Sequence, residues 1–245
     1  MKQMIVVDLD GTILDDTRYV TDKTAKYLES LKNKGYIIVI ATGRAYDSAI
    51  EAAKGARFAN YMITNTGAYL YSLDTGKILF KSNLKKKIVK KIMNKYGDRL
   101  DLIYLYTEKK PYKDTPIRDV KRITQAVFTS KYDIDKIYQE LLKENYKADI
   151  IIMQNSFSLE KKIEVHPLNS SKYDTIKRLA DKLGIDNKDI IAFGDGLNDI
   201  EMVSSCGHGV ALKNALPAVK EGAKDITKDT NVNDGVMKYL MEYLP

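Results

Sequence analysis

Two aspartates, Asp8 and Asp10, close the stretch MIVVDLDGT, with Gly11 following at once. Carboxylates at this spacing can attack an electrophile, hold a hard cation or pass a proton. Three more polar clusters accompany them: Thr42-Gly43-Arg44 in ATGR, Ser171-Lys172 in SSKYDTIK, and Gly194-Asp195-Gly196 with Asn198 and Asp199 in GDGLND. A phosphate monoester accounts for all four together. Its phosphorus is shielded by negative oxygens, so an approaching carboxylate meets about 4 kcal/mol of repulsion per charge pair at roughly 4 Å and an effective dielectric of about 20. Cations must therefore be in place first. Asp8 and Asp195 offer hard oxygens for Mg²⁺, while Lys172, the Thr42 hydroxyl and neighbouring backbone N–H groups can hold phosphate oxygens. One oxygen of Asp8 can then attack and form an acyl phosphate. Asp10 can protonate the leaving alcohol and later deprotonate the water that breaks the intermediate.

Each cluster also has a purely structural reading. Asp8 and Asp10 could cap a turn, Thr42 could cap the helix after Gly43, and Asp199 could favour a helix dipole. Lys172 resists such an account. With Ser171 as N-cap and Asp174 as its partner, Lys172 takes the first helical position, where the macrodipole opposes a cation unless an anion is bound there.

The elements that must position these residues follow from hydrophobic pattern. Met4 to Val7 show no polar alternation, which predicts a strand buried on both faces of a parallel sheet. TDKTAKYLESLKNKG reads as a helix opened by Thr21 and closed at Gly35, and YIIVIAT as the next strand, completing a right-handed crossover. Ala45 to Lys54 reads as a helix and Tyr61 to Thr64 as a strand. Parallel strands end on one edge, so three of the clusters converge there, and the fourth opens a helix reached from that edge. After Gly67 the texture changes to short strands around Tyr69 and Ile78, then a basic helix with Leu84, Ile88, Ile92 and Tyr96 on one stripe. Strands DLIYLY, TQAVF and DIIIM and a helix from Asp133 to Asn145 follow, and their alternation predicts a mostly antiparallel sheet with one face covered. The first pattern then resumes with a helix from Lys172 to Leu183, strands DIIAF and GVAL and a last helix from Val232 to Tyr243. The expected class is α/β: a Rossmann-like parallel-sheet core over residues 1–81 and 166–245, with an inserted α+β cap domain over 82–165.

The chain has 245 residues, 44% hydrophobic and 30% charged, a globular composition. Its longest apolar runs fall far short of the roughly 20 residues of a membrane span, and the apolar stretch at the amino terminus ends too early for a signal peptide. Cys206 is the single cysteine, so no internal disulfide can form and a cytoplasmic setting is expected. The net charge of +7 is unevenly placed. Residues 81–164 hold 20 Lys+Arg against 12 Asp+Glu, net +8, and the remainder is net −1. Such asymmetry suggests a module facing anions or a solvated lysine face.

DLDGT, ATGR, the lysine of SSKYDTIK and GDGLND resemble, in order, the four motifs of the haloacid dehalogenase-like phosphatase superfamily. The place of the insert and the stretch GVALKNALPAVKEGAKDIT resemble the Cof-type branch with a class II cap. The resemblance implies Asp8 as nucleophile and Asp10 as general acid/base. It implies phosphate binding by Thr42, the adjoining Gly43, Lys172 and Asn198. Mg²⁺ would be held by Asp8, the backbone carbonyl of Asp10, and Asp195, with Asp199 near the metal. Two departures stand out. Thr66 in ITNTGAYL occupies a place where relatives commonly carry asparagine, and Tyr173 follows the lysine where glycine is common.

The expected function is a Mg²⁺-dependent phosphatase of small phosphorylated metabolites, sugar phosphates foremost, acting through an aspartyl-phosphate. A phosphotransferase or mutase on the same scaffold is the enzymatic alternative. A nucleic-acid-binding protein using the basic insert is the non-enzymatic one, but the insert shows no nucleic-acid motif and none is expected as a partner. A phospho-accepting receiver domain fails on position, because it takes phosphate after the third strand, where this chain has Asn65 and Thr66. His166, His208 and Cys206 read as structural.

Overall fold

Residues 4–7 form β1 (Met4–Val7), and all four are buried, because the strand is paired on both sides and lies within the main hydrophobic core. In the computed structural model, which describes residues 3–154 and 160–244, the first unit continues through α1 (Asp22–Asn33), β2 (Ile37–Ala41), α2 (Tyr46–Ala52), β3 (Tyr61–Thr64), β4 (Tyr69–Ser72) and β5 (Lys77–Lys81). The insert carries α3 (Lys86–Tyr96), β6 (Asp101–Thr107), β7 (Pro111–Lys113), β8 (Ile123–Thr129), α4 (Ile134–Leu142), β9 (Ala148–Gln154) and β10 (Lys161–Pro167). The first unit resumes with α5 (Lys172–Leu183), β11 (Ile190–Gly194), α6 (Ile200–Ser205), β12 (His208–Ala211), α7 (Pro217–Gly222), β13 (Asp225–Ile226) and α8 (Gly235–Tyr243).

The first unit, residues 1–80 with 171–245, is built on a sheet of order β13-β12-β11-β1-β2-β3-β4-β5. From β13 through β3 every pairing is parallel, and β4 then turns back antiparallel on β3. In register, Val7 lies between Ile40 and Phe193, so the residues after β1, β2 and β11 emerge at one edge. Local signals agree with the helices that separate these strands. Thr21 caps α1 by accepting from the Thr24 N–H. Ser171 caps α5 in a reciprocal capping box with Asp174, and Gly184 ends it in the left-handed conformation.

The second unit, residues 81–170, is an antiparallel sheet of order β7-β6-β8-β10-β9. It has its own core, in which Ile88, Val89 and Ile92 of α3 and Ile137 and Leu141 of α4 pack with Phe128, Ile163 and Val165. Two strands here escape the sequence reading. β7 is three residues long and two of them are exposed, and β10 carries polar or charged residues at Lys161, Lys162 and Glu164. Because β10 runs to Pro167, the second boundary falls at 170/171 and not at 165/166.

Candidate active site

The shared edge brings Asp8, Asp195 and Asp199 together beside a buried lysine. Lys172 is 1% exposed at the first position of α5, and its ammonium donates to Asp8 Oδ1 at 2.7 Å and to Asp199 Oδ1 at 2.6 Å. A cation at a helix N-terminus works against the dipole, and here two buried carboxylates hold it. Burial opposes the charge, yet Asp199 and Asp8 outweigh it and hold the lysine pKa above its ordinary value.

Asp8, Asp195 and Asp199 each bring a carboxylate oxygen within 4.8 Å of the others. Burial holds the Asp8 carboxyl well above the usual range, with the charges of Asp199 and Asp195 adding to it and Lys172 opposing. Asp195 is pushed up to about 6 by burial, against the hydrogen bond it accepts from Thr12 and with repulsion from Asp199 adding to it. Both shifts arise from the same cause: three carboxylates face one ammonium in a poorly solvated place.

Backbone geometry makes the approach feasible. Gly11 has φ +75°, and a Cβ there would lie 2.2 Å from Asp195 Oδ2, so only glycine lets the turn after β1 reach the end of β11. The Thr12 hydroxyl donates to Asp195 Oδ1 at 2.8 Å, and the Asn214 amide donates to the Gly11 carbonyl at 2.8 Å. Asp199 serves two partners: Oδ1 takes Lys172 while Oδ2 accepts the N–H groups of Asp195 and Gly196 at 3.1 and 3.0 Å.

Asp10 stands apart from this cluster in side-chain terms. Its carboxylate is gripped by Arg44, Nε to Oδ2 at 2.7 Å and Nη2 to Oδ1 at 2.6 Å. Thr42 is fully buried, and its Oγ1 accepts the Arg44 N–H at 3.1 Å. It does not cap the following helix, since α2 begins at Tyr46 with Ala45 at the N-cap and no side-chain bond. The turn after β3 supports this loop: Asn65 N–H donates to the Arg44 carbonyl and Thr66 N–H to the Thr42 carbonyl, at 2.9 and 3.1 Å. Asn65 and Thr66 both have positive φ, 51° and 57°, a conformation a β-branched threonine rarely adopts. A Cβ on Gly43 would meet Asn198 Nδ2 at 3.5 Å and Thr66 Oγ1 at 3.6 Å, so Asn198, Gly43 and Thr66 border one place.

Sequence reasoning assigned no role to Thr12, Arg44 or Asn214. All three lie inside stretches that carry the family resemblance, Asn214 in GVALKNALPAVKEGAKDIT, and their side-chain chemistry was the available signal; the partners, 183 and 203 positions away for Thr12 and Asn214, were not. His166 pairs with Glu164 at 3.0 Å and His208 with the Tyr239 hydroxyl at 2.8 Å. Cys206 is buried, and burial pushes its thiol up to about 12.

A family model of haloacid dehalogenase-like hydrolases matches residues 5–125 and 112–240. The chain belongs to the haloacid dehalogenase-like phosphatases. A 5-amino-6-(5-phospho-D-ribitylamino)uracil phosphatase of Bacillus subtilis is 29% identical over 99% of this chain and 96% of its own. A phosphoglycolate phosphatase of Methanopyrus kandleri is 27% identical over 100% and 98%. Among solved structures, a phosphatase of this superfamily from Bacteroides thetaiotaomicron covers 99% of this chain and 95% of its own, with a TM-score of 0.82 at 24% identity, a likeness of fold. This haloacid dehalogenase-like phosphatase has no helix, among its described residues, long and apolar enough to cross a membrane.

Proposed function

We propose that this phosphatase is Mg²⁺-dependent and hydrolyses small phosphorylated metabolites, sugar phosphates foremost, through an aspartyl-phosphate on Asp8. The observation that carries the reading is the Lys172 ammonium held between Asp8 and Asp199 beside Asp195. The donor set fits Mg²⁺: three carboxylates, no imidazole or thiolate, and one ammonium leave a local charge of about −2. Asp8, Asp195 and the backbone carbonyl of Asp10 would hold the ion, with Asp199 beside them. Bound there, it would neutralise charge on the cluster and on the phosphate.

The chain's own groups supply the rest. Lys172 enters with its charge secured and can share its N–H donors with a phosphate oxygen, and the Thr42 hydroxyl, the Gly43 backbone and the Asn198 amide border the same group. Lys172 engages Oδ1 of Asp8, which leaves Oδ2 for attack on phosphorus with departure of the alcohol. Asp10 gives the leaving oxygen its proton, then takes one from the water that cleaves the acyl phosphate. For this it must loosen from Arg44, which orients the carboxylate.

The names of the two relatives, a ribitylamino-uracil phosphatase and a phosphoglycolate phosphatase, support a phosphorylated small molecule as substrate class. The single cysteine and its high thiol pKa suit a reducing cytoplasm. The test is phosphate release over a panel of metabolite monophosphates, with Mg²⁺ and with excess chelator. Turnover of several sugar phosphates, abolished by chelator and restored by Mg²⁺, is the expected result. Undiminished turnover in chelator would overturn the metal dependence, and turnover confined to non-sugar monoesters would overturn the substrate class.

A further inference from the structure

The insert holds a cleft of about 790 Å³ lined by Lys85, Lys87, Lys91 and Lys147, by Asn145, and by Leu84, Ile88 and Tyr146 among others. Among the described residues, no aspartate or glutamate lines it. Its volume is that of a small-molecule site, and it shares no residue with the Asp8 cluster.

Three features set this cleft apart from an ordinary lysine-rich surface. Lys85 is the N-cap of α3 and makes no side-chain cap bond, while the first turn carries Lys86 and Lys87 and no acid; cations at that end oppose the helix dipole. Lys86 is tied to the Arg118 carbonyl at 2.9 Å, but Lys87 and Lys91, four apart on one helix face, repel each other. None of the four lining lysines forms an ion pair or a side-chain hydrogen bond among the described residues. Tyr146 is 5% exposed and its hydroxyl is buried without a hydrogen-bond partner among the described residues, with the Lys91 ammonium 4.9 Å from its ring centroid. Ordinary solvated lysine faces need neither a cavity nor an unsatisfied phenol at its wall.

We infer that this cleft is a binding site for a small polyanion, a molecule with two or more linked phosphate groups. Such a ligand places several negative oxygens among Lys85, Lys87, Lys91 and Lys147 at once, complements the N-terminus of α3, and fits the volume. A single phosphate would engage fewer of the four and bind more weakly.

The test uses tripolyphosphate and orthophosphate as probes of the full chain in chelator at low ionic strength. ¹³C-tyrosine NMR reads the cleft, with the Tyr146 ring assigned through Tyr146→Phe. Tripolyphosphate is expected to shift the Tyr146 resonance saturably, with orthophosphate about tenfold or more weaker, and the Lys87→Gln/Lys91→Gln/Lys147→Gln variant to weaken tripolyphosphate by about tenfold or more. A variant melting temperature equal to that of the parent shows that the loss is one of binding. Tyr146→Phe should remain fully folded, since it removes a buried group with no partner. An unshifted Tyr146 at millimolar tripolyphosphate, or an undiminished affinity in the triple variant, would overturn the inference.

Discussion

Arg44 meets Asp10 as a fork, two N–H groups on two carboxylate oxygens at 2.7 and 2.6 Å. The Asp10 side chain is 56% exposed and that of Arg44 21%, so the pair fixes direction more than it stabilises the fold; exposed pairs contribute about 0–1 kcal/mol. In the mechanism proposed above, the fork is a positioning contact for Asp10.

The first prediction concerns that contact. Arg44→Lys keeps the charge and loses the fork, so kcat should fall about tenfold while the unfolding free energy changes by less than about 1 kcal/mol. Arg44→Ala should lower kcat further. Steady-state kinetics beside denaturant melts check this, and a kcat unchanged in both variants would remove Arg44 from the mechanism.

Asp8→Asn should fold as well as the parent or better, because it removes one of three mutually repelling carboxylates. Turnover should nevertheless fall by about a thousandfold or more, since Asp8 is the proposed carrier of the phosphoryl group. Phosphate release by a homogeneous preparation decides the matter, and substantial residual turnover would refute the nucleophile.

Lys172→Met has the opposite effect on stability. It leaves Asp8 and Asp199 buried without their cation, which should cost about 3–5 kcal/mol in metal-free buffer. Added Mg²⁺ should recover part of that loss but little activity. Urea melts with and without Mg²⁺ measure the stability, and a variant as stable as the parent in chelator would mean that the cluster does not depend on Lys172.

The pH dependence of the metal-free protein follows from Asp195 and Asp8. Both have folded pKa values above the unfolded carboxylate value of about 3.9, Asp195 at about 6. The folded state therefore holds these protons more tightly than the unfolded state, so the contribution of Asp195 to stability is fully present below about pH 4 and is lost as pH rises through about 6, with that of Asp8 acting in the same direction. Mg²⁺ favours the deprotonated carboxylates. The melting temperature gained on adding Mg²⁺ should thus be small at pH 5 and larger at pH 7.5, and a gain independent of pH would count against these carboxylates as its site.

Much of this protein is written in local signals. Four unalternating residues from Met4 make a strand buried on both faces, Ser171 with Asp174 makes a capping box, and Lys172 at the next position marks a helix start that needs an anion. Those patterns are short-range, so a single sequence carries them, and parallel strands bring three of the four motifs to one edge, the fourth opening a helix. What the tertiary structure alone decided lies in contacts between distant residues: the Lys172 ammonium held by Asp8, 164 positions away, Thr12 on Asp195, and Arg44 on Asp10. β7 and β10 were also illegible, since a three-residue edge strand and one with polar residues on it become strands only by pairing with β6 and with β8 and β9. The cleft of the insert is of the same kind, because lysines spread over 63 positions read equally as an anion-facing module or a solvated face until folding places four of them around one cavity.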